Sequence, residues 1–162
     1  MEANEYSEAC DATGLLKCQW EIDPKMTDCP CCDNMVVRCM DFRFHAELPR
    51  LLAEHFGVEC FEYDSPGGGC GGSKSFIDPE CRKIVLHALD LAVSLHGVKR
   101  LVIVDHIDCG AYGGSERFDD PDAERQFHVE RLREAREIVR PLYPELEVAL
   151  FIQNRDGISL VE

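Results

Sequence analysis

The chain has 162 residues, 45% of them apolar, and a formal net charge of −14, which suits one globular domain with a core of its own. The acidic balance argues against nucleic acid, whose phosphates need Lys and Arg, and against anionic membrane surfaces. No apolar run is long enough to span a bilayer, and the acidic start Met1-Glu2-Ala3-Asn4-Glu5 leads into no apolar signal segment, so a cytoplasmic protein with reduced thiols is expected.

Residues 1–33 read as a Cys-rich N-terminal arm and residues 34–162 as the folded domain. Ten cysteines are many for a reduced chain, and such richness points to metal or thiol chemistry before disulfides. The arm is polar and shows no sustained period. Within it Cys29 and Cys32 form a C-x-x-C pair, and Cys10 and Cys18 would complete a second, four-thiolate structural zinc site. The spacing between the pairs is not a standard one, so the other reading is an arm whose cysteines are incidental or redox-active.

Beyond the arm, residues 35–38 predict a first strand ending at Cys39. A helix is expected over 45–55, with Leu48, Leu51, Leu52 and Phe56 on one face, Pro49 in its first turn and Gly57 as its stop. Residues 58–63 predict a second strand. The stretch from Asp64 to Ser73 is rich in glycine but lacks P-loop spacing, so it is expected to form a flexible or tightly turned wall of the functional edge. The clearest helix spans 78–96, with Asp78 as N-cap, Pro79 at its first position and a stripe of Ile84, Val85, Ala88, Leu91, Ala92 and Leu95. A third strand follows over 100–104, a mostly solvated amphipathic helix over 121–140, and a fourth strand over 147–152. Residues 153–162 read as a tail without clear period. The order β-α-β-α-β-α-β gives an α/β domain, and its long β-helix-β connections are right-handed crossovers between parallel strands.

Two short stretches stand at carboxyl ends of these strands, the edge where open parallel sheets bind ligands. They are Cys39-Met40-Asp41-Phe42-Arg43 and His106-Ile107-Asp108-Cys109-Gly110. Two Cys and one His make a three-ligand zinc set with one position free, the pattern of a catalytic rather than a closed structural site.

C-x-D-x-R followed, after a long βαβ insertion, by H-x-x-C-G resembles the zinc signature of β-class carbonic anhydrases, and the span from Met35 to Ile152 is similar to their core. The resemblance implies a four-stranded parallel sheet in the order 2-1-3-4, flanked by helices, and a homodimer or higher homo-oligomer with active sites near the subunit interface. It implies one Zn2+ held by Cys39, His106 and Cys109, with Asp41 and Arg43 as the catalytic pair. Asp41 would either occupy the fourth metal position or be held off it by Arg43. With water in that position, zinc-bound hydroxide would attack carbon dioxide, a small-molecule substrate, and give bicarbonate. Three departures stand out. Asp105 takes the place of the usual Gly before the zinc His, no Gln stands shortly before Cys39, and the glycine stretch replaces an Arg-Asn motif. Other functions weighed are hydrolysis of carbonyl sulfide or carbon disulfide at the same site, a non-catalytic zinc-binding or sensing role, and a thiol or metal-storage role for the arm. His45 and His55 are candidate proton shuttles, while Phe42 and Phe44 are candidate pocket walls.

Overall fold

A computed structural model describes residues 32–58, 61–64 and 69–161. Most of the arm, with Cys10, Cys18 and Cys29, lies outside the described residues, as does Cys60. Five strands, β1 (Asn34–Arg38), β2 (Phe61–Asp64), β3 (Arg100–His106), β4 (Glu147–Gln153) and β5 (Ile158–Leu160), form one sheet in the order β2-β1-β3-β4-β5. The first four run parallel in the expected 2-1-3-4 order.

β5 is an addition to the expected four. The 153–162 tail turns at Asn154, whose side chain accepts from the N–H groups of Asp156 and Gly157, and returns antiparallel to β4 with Phe151 opposite Leu160. An edge strand needs only backbone pairing, so so short a segment need not show an alternating pattern.

Both faces of the sheet are covered, which is why its inner strands read as continuous apolar runs. On one face Met35, Val37, Leu101, Ile103, Leu150 and Ile152 pack with α3 (Pro79–His96) and α4 (Pro121–Val139). On the other, Val36, Val102, Val104 and Phe151 pack with Leu48 and Leu52 of α1 (Leu48–Phe56). The expected caps form: Asp78 accepts from the N–H groups of Glu80 and Cys81, and Gly57 and Gly97 close α1 and α3 in left-handed geometry. No described helix is long and apolar enough to cross a membrane.

α3 departs from the expected stripe. Its buried face is Cys81, Val85, Leu89 and Ala92, whereas Ile84, Leu91 and Leu95 are 57%, 44% and 68% exposed. The helix carries apolar residues on more than one side, so periodicity alone does not choose which side meets the sheet.

The glycine stretch is tightly turned where it is described. A Cβ on Gly71 would stand 2.6 Å from the Cys39 Cα, and one on Gly72 would stand 2.6 Å from the Val104 carbonyl and collide with the Asp105 carboxylate. These residues lead into the short α2 (Lys74–Ile77). Against the reduced thiols expected of the chain, Cys70 is disulfide-bonded to Cys81 at the start of α3, with a Cα–Cα distance of 5.7 Å. The bond ties the glycine wall to the helix that follows it.

Candidate metal centre

β1 and β3 are neighbours, with Arg38 registered against Val104. Cys39 follows the end of β1 and His106 ends β3, so both emerge at one carboxyl edge. Cys109 returns to that edge because Asp108 adopts a left-handed backbone, φ 60°, which bends the chain back after the strand. Asp tolerates this conformation better than most residues with a Cβ. The thiols of Cys39 and Cys109 and a ring nitrogen of His106 all lie within 4.8 Å of one another. Cys109 and His106 are buried and Cys39 is half-buried.

The imidazole is oriented by its own backbone. Nδ1 lies 2.9 Å from the Ile107 carbonyl, so it carries the proton and donates. Phe44 packs its ring 4.5 Å from the His106 ring. The other nitrogen, Nε2, is buried and makes no hydrogen bond among the described residues. A buried lone pair without a partner costs free energy, and two thiols with an imidazole are the donor set of a borderline-soft cation such as zinc. The residues therefore fit such an ion. The hydrogen bond between the two thiols lowers the Cys39 thiol from its usual range and raises that of Cys109, which burial pushes up further.

Asp41 lies beside this group, its Oδ2 4.0 Å from His106 Nε2, but Arg43 holds it. Arg43 Nε donates to both carboxylate oxygens at 3.0 Å, Nη2 donates to Oδ2 at 2.6 Å, and the Arg43 backbone N–H donates to Oδ1 at 3.0 Å. These bonds lower the Asp41 carboxyl to about 2. The other edge of the guanidinium meets Asp108, whose Oδ2 and backbone oxygen accept at 2.6 and 2.9 Å. Outside the thiols an open cavity of about 380 Å³ is lined by Cys39, Asp41 and Arg43 together with Met40, Phe42 and Ala111.

Two buried polar networks that the sequence did not reveal support the group. Asp105 accepts from the Ser73 N–H at 2.7 Å and the Ser73 hydroxyl at 2.6 Å, and from His128 Nδ1 at 3.1 Å. Tyr112, just past Cys109, joins through its hydroxyl to Ser73 Oγ at 2.9 Å. Glu124 on α4 accepts from the Asp108 N–H and from the Ser115 hydroxyl, both at 2.7 Å. A charged residue closing the apolar run Leu101-Val102-Ile103-Val104-Asp105 was the available signal for the first network. Glu124 and His128 gave none, because on a highly charged helix they look like its solvated face.

The remaining candidates fall elsewhere. His45 sits 3.3 Å from the Cys39 carbonyl and braces backbone. His55 is exposed on α1. Phe42 is an exposed cavity wall, while Phe44 is buried. Of the proposed second cysteine site only Cys32 is described, and its thiol donates to the Asn34 carbonyl at 3.2 Å.

A family model described as "Putative carbonic anhydrase" matches residues 31–162. An uncharacterized protein of Rickettsia bellii is 27% identical over 128 residues, covering 77% of this chain and 78% of the relative. One of Rickettsia conorii is 28% identical over 131 residues, covering 77% and 69%. Two solved structures share the fold: the carbonic anhydrases of Streptococcus mutans and of Glaciozyma antarctica, each with a TM-score of 0.53 over 82% of this chain and 83% of theirs, at 19% and 16% identity.

Proposed function

This chain belongs to the carbonic anhydrase family whose model spans residues 31–162, and from that premise we propose that it catalyses the reversible hydration of carbon dioxide to bicarbonate with a zinc ion held by Cys39, His106 and Cys109. The observation that carries the reading is the convergence of those three donors within 4.8 Å around a buried imidazole nitrogen that makes no hydrogen bond among the described residues. Zinc at such a site supplies the Lewis acidity that makes water a nucleophile at neutral pH.

The protein's part is orientation and exclusion. Asp41, lowered to about 2 by Arg43, is ionised at neutral pH and can only accept. It takes a hydrogen bond from the attacking water and turns the water's lone pair toward the substrate carbon. So weak a base does not keep the proton, which leaves through the open cavity to solvent. Met40, Phe42 and Ala111 offer an apolar wall to a substrate that carries no charge.

Stopped-flow hydration of carbon dioxide by the zinc-loaded chain tests this, with His106→Ala as control. Activity above the uncatalysed rate, lost in the control, is the expected result. The open cavity admits a sulfur analogue such as carbonyl sulfide or carbon disulfide as readily as carbon dioxide, and hydrolysis of such an analogue is the second reading. Sulfide release from those gases without hydratase activity would replace the first reading by the second. Metal binding with neither activity would leave a zinc-binding or sensing protein.

The working unit is a homodimer. Phe42 and Met40, 81% and 56% exposed beside the cavity, are apolar groups that a second copy would cover, and burial of a side chain like Phe is worth about 1.5–3 kcal/mol. Light scattering coupled to gel filtration should give twice the chain mass for the wild type and a shift toward monomer for Phe42→Asp. A wild-type monomer at micromolar concentration would end this part of the reading.

A further inference from the structure

Arg43 is held from two sides, and the second side has no place in the scheme above. Asp41 takes Nε and Nη2, whereas Asp108 takes Nη1 with its carboxylate and Nη2 with its backbone oxygen. The Asp41–Arg43 fork fixes the two groups to each other but not to the loop that carries His106 and Cys109, and Asp41 Oδ2 lies 4.0 Å from His106 Nε2.

Asp108 is itself fixed at a cost. Its left-handed backbone is uncommon for a residue with a Cβ, and such conformations persist where the surroundings over-determine them. The restraint comes from α4. Glu124 is 2% exposed, and its two oxygens go to the metal loop, one to the Asp108 N–H and one to the Ser115 hydroxyl. The Ser115 N–H in turn donates to Asp108 Oδ1 at 3.2 Å. A buried carboxylate on a helix thus ends, through Asp108 and Arg43, on Asp41.

We infer that Asp108, locked by Glu124, is a positioning residue: it fixes the Arg43 guanidinium, which keeps the Asp41 carboxylate engaged and leaves a metal position open to an outside ligand. The inference rests on the reading that Cys39, His106 and Cys109 hold the metal. Without Asp108, Arg43 is tethered only by Asp41 and can move with it, so the carboxylate is free to close the site.

Cobalt(II)-loaded full-length protein tests this by visible absorption, taking the Cys109→Ser chain as the background for thiolate-to-cobalt bands. Azide is the probe, since it binds only where a coordination position is exchangeable. The wild-type spectrum should change saturably with azide. Asp108→Asn should need at least tenfold more azide for half-saturation. Removing a negative charge would by simple Coulomb attraction favour an anion, so a weakening has the opposite sign to that trivial effect. Glu124→Ala should behave like Asp108→Asn, while Glu124→Gln, which still accepts from the Asp108 N–H, should stay near wild type. Adding Asp41→Asn to Asp108→Asn should restore azide binding, because a neutral amide is a poorer metal ligand. Asp108→Asn titrating like the wild type, or a double variant as weak as the single one, overturns this inference alone. A wild-type chain without thiolate-to-cobalt bands overturns the metal reading with it.

Discussion

Cys109→Ser should lose zinc under conditions in which the wild type keeps it. A Ser hydroxyl is a poor zinc ligand at neutral pH because it does not ionise there, whereas a thiol yields its proton to the metal. Structural zinc in small domains binds with about 10–16 kcal/mol over four ligands. One ligand is then worth about 2.5–4 kcal/mol, roughly a 10²–10³-fold loss of affinity. Competition against a chromophoric chelator measures this directly. Because a ligand that binds only the folded chain raises stability by mass action, zinc should also raise the melting temperature of the wild type, and that of Cys109→Ser by much less at the same zinc concentration. Cys32→Ser is the internal control, since Cys32 spends its proton on the Asn34 carbonyl. Equal zinc affinity in wild type and Cys109→Ser would remove the Cys39–His106–Cys109 group from consideration. A second zinc per wild-type chain that survives Cys109→Ser would belong to the set of Cys10, Cys18, Cys29 and Cys32.

How much of this site could be read in advance follows from how it is built. Cys39 and His106 are placed by strand ends, and strand ends are legible as apolar runs that stop. Their adjacency depends on the 2-1-3-4 strand order, which came from the family resemblance and not from the runs themselves. Asp41 and Arg43 are neighbours in sequence, so their contact was within local reach. Asp108 and Glu124 are sixteen residues apart, and Asp105 meets a serine thirty-two residues before it. Such pairs depend on which loop lies against which helix, and no periodicity encodes that.

The glycine wall shows the same limit from the other side. Its composition announced a close approach, and Gly71 and Gly72 do press against the backbone of Cys39 and Val104. What composition did not reveal was the covalent tie beside it, because Cys70 and Cys81 belong to different elements and expected redox conditions argued for free thiols. The wall also gives the carboxylate at Asp105 its partners. Ser73 arrives against β3 with its N–H and hydroxyl both inward and needing acceptors, and the Asp105 carboxylate supplies them.

The largest effect on stability is expected at that carboxylate. Asp105 is 3% exposed, and Ser73 and His128 are fully buried. Asp105→Ala would leave the Ser73 N–H, the Ser73 hydroxyl and His128 Nδ1 facing a void. A buried polar group left unpaired costs about 1–3 kcal/mol, and removing one partner of a buried pair typically costs about 3–5 kcal/mol. A loss in that upper range is expected in urea unfolding, read as a lower midpoint at unchanged slope. Asp105→Asn should be milder, by about half. Its oxygen still accepts from the Ser73 N–H, and its amide can donate to the Ser73 hydroxyl, so fewer of the buried groups lose their partner than in Asp105→Ala. The same two variants separate folding from site geometry. Asp105 is the residue before His106, and Ser73 lies beside the glycines that press on Cys39, so Asp105→Asn should weaken zinc binding by about 10–100-fold, as loss of the groups that orient metal ligands commonly does. Two variants of equal stability and wild-type zinc affinity would show that Asp105 neither holds the wall nor sets the ligands.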